Sequence, residues 1–306
     1  MRYSICLSYD GAAFCGWQIQ PNAPSVQATL EGTLSRLLNR PIAVTGAGRT
    51  DTAVNAVNYV AHFDVDGALP FGQSDLCYKL NAMLPRSIVV HSVVPVADDF
   101  HARFGAKRRE YTYFIHRQKD PFVAPWSWQC GYPDLDFDAM NRACQFLLGT
   151  HDFSCFEKTG GDNKTSICTV FDAFWKPYIP SHIQIMSGEG STPPGDSVPL
   201  RSTPAPPIVS CVPSELVSNG PLPLYSSGGG QAPGGALPSS NTYWYFRIAA
   251  DRFLRNMVRA TVGSLIEVGR GKQKPEWIAE LIATGTRSDA GESVPGHALF
   301  LNKVLY

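Results

Sequence analysis

The 306-residue chain lacks the features that mark several large protein classes. No apolar run approaches the roughly 20 residues needed to cross a bilayer, which excludes a transmembrane helix. The first residues, MRYSICLSYDG, alternate polar and apolar positions at once. They contain no signal-peptide apolar region and read as a strand, so a cytoplasmic protein is expected. Eight cysteines stand at positions 6, 15, 77, 130, 144, 155, 168 and 211. None forms a C-x-x-C pair and no histidine lies at zinc-site spacing from one, so reduced structural thiols and no metal are expected. The Gly46-Ala47-Gly48 turn is not followed by the G-K-[ST] ending of a phosphate-binding P-loop. Net charge is absent too, with 26 Lys+Arg against 26 Asp+Glu. Taken alone, that balance argues against a nucleic-acid partner, because phosphate binding favours basic proteins.

The balance hides clustering. Six basic residues face one acidic residue from His101 to Lys119, and seven face two from Arg247 to Lys274. By themselves such clusters read as solvated faces. Glycine and proline are also unevenly spread: eleven of the 24 prolines fall between residues 191 and 240. From about 179 to 240 no periodicity is sustained, and stretches such as STPPGDSVPL and SSGGGQAPGG dominate. Such a segment buries too little apolar surface to offset its chain entropy, so a disordered insertion is expected there.

Outside that segment the pattern is compact. Tyr3, Ile5, Leu7 and Tyr9 alternate with polar residues, which is strand periodicity. Ser25 suits the N-cap of a helix whose apolar stripe is Val26, Leu30, Leu34 and Leu38. Strands over 42–47, 59–65 and 88–94 and a helix over 75–83 complete a β-α-β-β-α-β unit, which implies an antiparallel sheet with helices on one face. The second half repeats that order more loosely: strands over 110–116, 165–175, 243–249 and 298–305, helices over 137–148, 253–268 and 275–283. The predicted fold class is therefore α+β, two pseudo-symmetric split β-α-β-β-α-β (ferredoxin-like) halves with antiparallel sheets and a cleft between them. The halves divide as 1–104 and 105–306.

The stretch Val44-Thr45-Gly46-Ala47-Gly48-Arg49-Thr50-Asp51 concentrates the candidate chemistry. Two glycines let the backbone turn and leave room for a bulky ligand. Arg49 can meet a phosphate or orient the Asp51 carboxylate. The same residues also make a good turn, with Thr50 or Asp51 capping a following helix.

Further motifs weigh on that choice. Gly46 to Asp51 reads GAGRTD. Tyr9-Asp10-Gly11 through Phe14, Gly16-Trp17-Gln18 and Gln20, then Ser25-Val26-Gln27, precede it. Asp99-Phe100-His101-Ala102-Arg103-Phe104, Arg109-Glu110-Tyr111-Thr112-Tyr113, His151-Asp152-Phe153-Ser154 and Asn256-Met257-Val258-Arg259 follow, with Val262-Gly263 and Val268-Gly269. In this order they resemble the motifs of the tRNA pseudouridine synthase A (TruA) family, the tRNA pseudouridine(38-40) synthases. The resemblance spans the chain apart from the Pro-rich segment.

That resemblance implies an isomerase that converts uridine to pseudouridine in the anticodon stem-loop of tRNA, with no cofactor, working as a homodimer. It implies Asp51 as the catalytic aspartate, Tyr111 as the tyrosine that stacks on the target uracil, Arg259 as the partner of the aspartate, and Arg49 as an RNA contact. The bland readings are that Tyr111 faces the core and that Arg252, Arg255 and Arg259 share one solvated helix face. The reaction breaks the C1′–N1 glycosidic bond, turns the uracil and joins its C5 to C1′. A carboxylate serves it by covalent attack or by taking a sugar proton. Two departures from the family pattern stand out: Thr52-Ala53-Val54-Asn55 replaces Ala-Gly-Val-His, and Tyr59 stands where glutamine is common. Two other classes remain in view. One is a catalytically inactive RNA-binding protein of the same fold. The other is a carboxylate hydrolase, which needs a second acid near Asp51; Asp64 and Asp66 are the nearest in sequence.

Overall fold

The computed structural model describes residues 1–158, 160, 165–186 and 242–306. Of the segment expected to be disordered, everything from 187 to 240 lies outside the described residues. Residues 1–180 and 240–306 form one compact unit.

Its first elements follow from local sequence. Strand β1 (Arg2–Tyr9) turns Tyr3, Ile5, Leu7 and Tyr9 to the core, as the alternation predicts. Helix α1 (Val26–Leu38) is capped by the Ser25 hydroxyl, which accepts from the Ala28 backbone N–H. Its stripe Val26, Leu30, Leu34 and Leu38 packs inward. Leu30 is completely buried, and truncating such a side chain to alanine costs roughly 2–5 kcal/mol. The unit continues with β2 (Val44–Gly46), β3 (Asn55–Asp64), α2 (Gln73–Met83) and β4 (Ile88–Val96). After it come β5 (Arg108–His116), β6 (Trp128–Gln129), α3 (Phe137–Cys144), β7 (Gly149–Asp152) and β8 (Ile167–Pro177). A short helix, α4 (Ser181–Met186), lies at the start of the segment expected to be unstructured. Then follow β9 (Tyr243–Ala250), α5 (Met257–Gly269), α6 (Trp277–Thr284) and β10 (Leu299–Leu305).

The strands form one mostly antiparallel sheet in the order β4-β1-β3-β10-β5-β9-β8-β7, with β2 also paired to β3 and β6 to β5. The early strands thus run β4-β1-β3-β2 and the later ones β10-β5-β9-β8, the same 4-1-3-2 order each time. The expectation of separate antiparallel sheets is corrected here. β10 pairs with β3 in parallel through Phe300–Asn55 and Leu301–Ala56, and antiparallel to β5 on its other side. That sharing is possible because β2 covers only the far end of β3, residues 61–63, and leaves the Asn55 end to β10.

Three boundaries differ from the periodicity by four residues. β3 starts at Asn55, four residues early, because the polar Asn55 and Asn58 interrupt the alternation but pair in the ladder or with β10. The α3 helix ends at Cys144 and tightens into a 3-10 turn over Gln145–Leu147. α5 starts at Met257 rather than 253, because Asn256 adopts a left-handed conformation, φ +67°, and breaks the run. Arg252 and Arg255 therefore precede α5 and share no helix face with Arg259. α5 itself is buried nearly all round, and the chain crosses it at Gly263, where a Cβ would collide with the Glu292 carbonyl.

β8 and β9 pair out to Pro177–Trp244, and the Tyr178 N–H donates to the Tyr243 carbonyl at 3.0 Å. The Pro-rich segment is thus the connection of a hairpin. Its length costs the fold little, because loop-closure entropy rises only slowly with loop length.

Candidate active site

Asp51 lies in the loop between β2 and β3, and nearly every peptide around it is tethered. The Ala47 N–H donates to Val60 (2.8 Å), Trp17 N–H to the Thr50 carbonyl (3.2 Å) and Ala53 N–H to Phe14 (3.3 Å). The Thr50 hydroxyl shares a 2.8 Å hydrogen bond with the buried Tyr9 hydroxyl. The Val54 N–H closes back on the Asp51 carbonyl at 3.2 Å, with Ala53 at φ +62°. The turn reading of this stretch is right in part: Asp51 opens a tight turn, but a strand and not a helix follows. Gly16, at φ +97°, lies under the loop, where a Cβ would collide with the Thr50 carbonyl. No side chain fits that contact.

Beneath the loop sits an aromatic shelf. Tyr59 stacks on Trp17 at 4.1 Å and meets Tyr9 edge-on at 5.5 Å. Its hydroxyl donates to the Gly48 carbonyl and accepts from the Gly48 N–H, so a single oxygen holds both sides of that residue. Burial pushes this hydroxyl well above the ordinary tyrosine range, so it stays a donor.

Across the sheet, β5 supplies two side chains of the same face. Tyr111 is buried, with Phe253 edge-on at 5.0 Å. Burial pushes its hydroxyl up to about 12; the Arg109 guanidinium opposes the shift and the Asp51 charge adds to it. Tyr111 is thus protonated at neutral pH and lies within electrostatic reach of Asp51. Arg109 is buried without a carboxylate partner. Its guanidinium donates instead to four carbonyls: Ala47 (2.9 and 3.2 Å), Arg103 (2.6 Å), Ala106 (3.3 Å) and Asp251 (2.7 Å). One side chain thereby ties the Asp51 loop to the segment before β5 and to the end of β9.

Arg259, on α5, brings its Nη1 to 3.6 Å from the Asp51 carboxylate, with side chains 22% and 27% exposed. Its Nε donates to the Val294 carbonyl at 2.7 Å, and the Val294 N–H returns to the Arg259 carbonyl at 3.3 Å. The Val294–His297 stretch is held by Tyr113, whose hydroxyl donates to Pro295 at 3.0 Å, and by Asn55, which donates to His297 at 2.7 Å. Asn55 also accepts from the Gly11 N–H at 2.8 Å.

Asp51, Tyr111 and Arg259 are therefore brought together from three distant stretches of chain. Arg49 is exposed on the same loop. Asp64 is no second acid for a hydrolase: it stands at the opposite end of β3 from Asn55, in a two-pronged pair with Arg2 at 2.8 Å. Among the described residues no group of three or more His, Cys, Asp or Glu side chains could hold a metal ion. The roles of Arg109, Tyr59 and Phe253 had no local signal. Each acts through partners far off in sequence; Arg109 shows only as a member of a motif, and Tyr59 only as a departure from the family pattern.

Residues 143–306 match the model of a family described as tRNA pseudouridine synthase. Over the whole chain, a tRNA pseudouridine synthase A of Porphyromonas gingivalis is 37% identical across 97% of its own length. One of Parabacteroides distasonis is 38% identical over 96%, and one of Bacteroides thetaiotaomicron 38% over 90%. The chain belongs to the tRNA pseudouridine synthase family. Against the family pattern, the departures acquire structural content. Ala53 takes up the left-handed turn position where that pattern has glycine. Asn55, in place of histidine, bridges Gly11 and His297, and Tyr59, in place of glutamine, grips Gly48.

Proposed function

We propose that the chain isomerises uridine to pseudouridine in the anticodon stem-loop of tRNA, at positions 38–40. The observation that carries this reading is the Asp51 carboxylate facing the Arg259 guanidinium at 3.6 Å, beside a protonated, buried Tyr111. Asp51 supplies the carboxylate that attacks C1′ or removes a sugar proton. Arg259 balances its negative charge and fixes its direction. The target base leaves its stack to reach them, and the Tyr111 ring offers a face for the flipped uracil and a hydroxyl for proton relay. Arg49 contacts the RNA backbone. The basic clusters at 101–119 and 247–274 track phosphates on either side. Residues 1–104 and 105–306 act as pseudo-symmetric halves with the RNA held in a cleft between them.

The enzyme works in the cytoplasm, as a homodimer and without a cofactor. No described helix is long and apolar enough to cross a membrane. An aromatic patch supports the dimer: Phe114 meets Phe300 at 5.5 Å and Tyr245 at 6.3 Å, with Phe174 beyond. It lies on the face of the sheet opposite Tyr111, and the solution mass tests it.

The decisive variant is Asp51→Asn, nearly isosteric but uncharged. Pseudouridine formation should vanish while tRNA affinity persists, since affinity comes chiefly from cations on phosphates. Near-normal turnover would refute the assignment. An inactive wild-type chain that binds tRNA would mark an RNA-binding protein of the same fold.

A further inference from the structure

Phe104 is the most exposed large hydrophobic side chain among the described residues, at 77%. Its place is nevertheless well determined. The His101 Nδ1 accepts from the Arg103 and Phe104 backbone N–H groups, each at 3.2 Å. The Gly105 N–H closes on the His101 carbonyl at 2.8 Å. The Phe104 ring rests against the His101 imidazole, centroids 4.4 Å apart, with the Arg103 guanidinium 5.5 Å from its centroid. A rigid turn thus presents a phenyl ring, backed by an imidazole and flanked by a cation, to solvent.

The turn also has a fixed address. The Arg109 Nη2 donates to Arg103 (2.6 Å) and to Ala47 (2.9 Å) at once, so the Phe104 turn and the Asp51 loop are held edge to edge. Lys107 stands three residues further on. Burying this ring would have favoured folding, yet the turn holds it out. A ring presented this way with cations around it has the chemistry of a nucleic-acid stacking surface: an aromatic face for a base and cations for the adjoining phosphates.

We infer that Phe104, backed by His101 and flanked by Arg103, is a stacking platform for an unpaired base of the RNA substrate next to the target uridine. The inference rests on the RNA-modifying function proposed above and adds a subsite to it. Stacking is sequence-tolerant, because every base has a π-face. The platform therefore contributes affinity and register rather than base identity.

The test uses the full chain and a tRNA transcript at one fixed salt concentration, measuring Kd, KM, kcat, melting temperature and solution mass for three variants. Phe104→Ala should raise Kd and KM about 5- to 150-fold, the range of roughly 1–3 kcal/mol per stacked base, with kcat and melting temperature close to wild type. Phe104→Trp should restore affinity, and Phe104→Leu, apolar but without a π-face, should stay near alanine. Unchanged Kd and KM in Phe104→Ala would overturn the platform. So would Leu performing as well as Phe, a large fall in melting temperature, or a change of mass that marks Phe104 as a contact between copies. An inactive wild-type chain would sink the proposed function instead, and the Kd series would still judge the platform.

Discussion

Replacing Tyr59 by phenylalanine isolates one oxygen atom. The ring stays, and with it the 4.1 Å stack on Trp17, so packing is largely conserved. What disappears is the hydroxyl that both accepts from the Gly48 N–H and donates to the Gly48 carbonyl. The Gly48 peptide is half-buried, so leaving it unsatisfied costs about 1 kcal/mol, the low end of the range for buried groups. For a chain of this size that lowers the melting temperature by roughly 2–4 °C per kcal/mol. The chemical consequence is larger than the thermal one. Gly48 stands three residues before Asp51, and a catalytic group displaced by about 1 Å loses on the order of 100-fold in rate. We expect kcat to fall 10- to 100-fold with KM nearly unchanged, because the phosphate-binding cations are untouched. Gly46→Ala provides the complement, since its Cβ would collide with the Tyr59 hydroxyl and the Trp17 ring. In the Tyr59→Phe background part of that collision is gone, so the double variant should be less damaged than the sum of the two singles. Steady-state kinetics and thermal melts on all four proteins decide it. A Tyr59→Phe enzyme with wild-type kcat would refute the role of the shelf.

Three further outcomes are expected. Arg259→Ala should lower kcat at least tenfold but cost only about 1 kcal/mol of stability, chiefly the bond to Val294, because the pair with Asp51 is partly solvated; thermal melts and single-turnover rates separate the two. Ala53→Gly should raise stability by a few tenths to about 1 kcal/mol, since a left-handed alanine is strained by about 1–2 kcal/mol, less the chain entropy glycine adds; denaturant midpoints measure it. His62 is buried, accepts from the Ala102 N–H at 3.2 Å, and is lowered to about 4 by burial, then by the Arg2 and His101 charges against an opposing Asp64. The unfolded chain takes up that proton as pH falls below 6.5 while the folded one does not, so roughly 3 kcal/mol present above pH 6.5 should be lost by pH 4. His62→Gln should flatten that part of the stability curve.

Local sequence determined the parts of this protein that local physics controls. The alternation of Tyr3, Ile5, Leu7 and Tyr9 selects a strand and its buried face, because side chains project every second residue. The Ser25 cap and the Val26–Leu38 stripe select a helix, because a hydroxyl and four apolar side chains meet within one element. The loop around Asp51 was legible as a turn carrying a carboxylate, and the ordered motifs pointed to its family. Tertiary structure decided the rest. Nothing near β10 announces that it will lie parallel to β3, since that pairing depends on how much of the β3 edge β2 leaves open. Nothing near Arg109 shows that its guanidinium will meet four backbone carbonyls from three segments. Asn256 interrupts the run in a left-handed conformation with its side chain on Ser293 at 2.7 Å, and beyond that break Phe253 lies outside the helix and meets Tyr111. Asp51 and Arg259 are separated by about two hundred residues, and no periodicity reaches that far. Their 3.6 Å approach exists only once the shared sheet and the buried α5 fix both backbones, because the entropy of bringing such distant groups together is met by the whole core rather than by the pair.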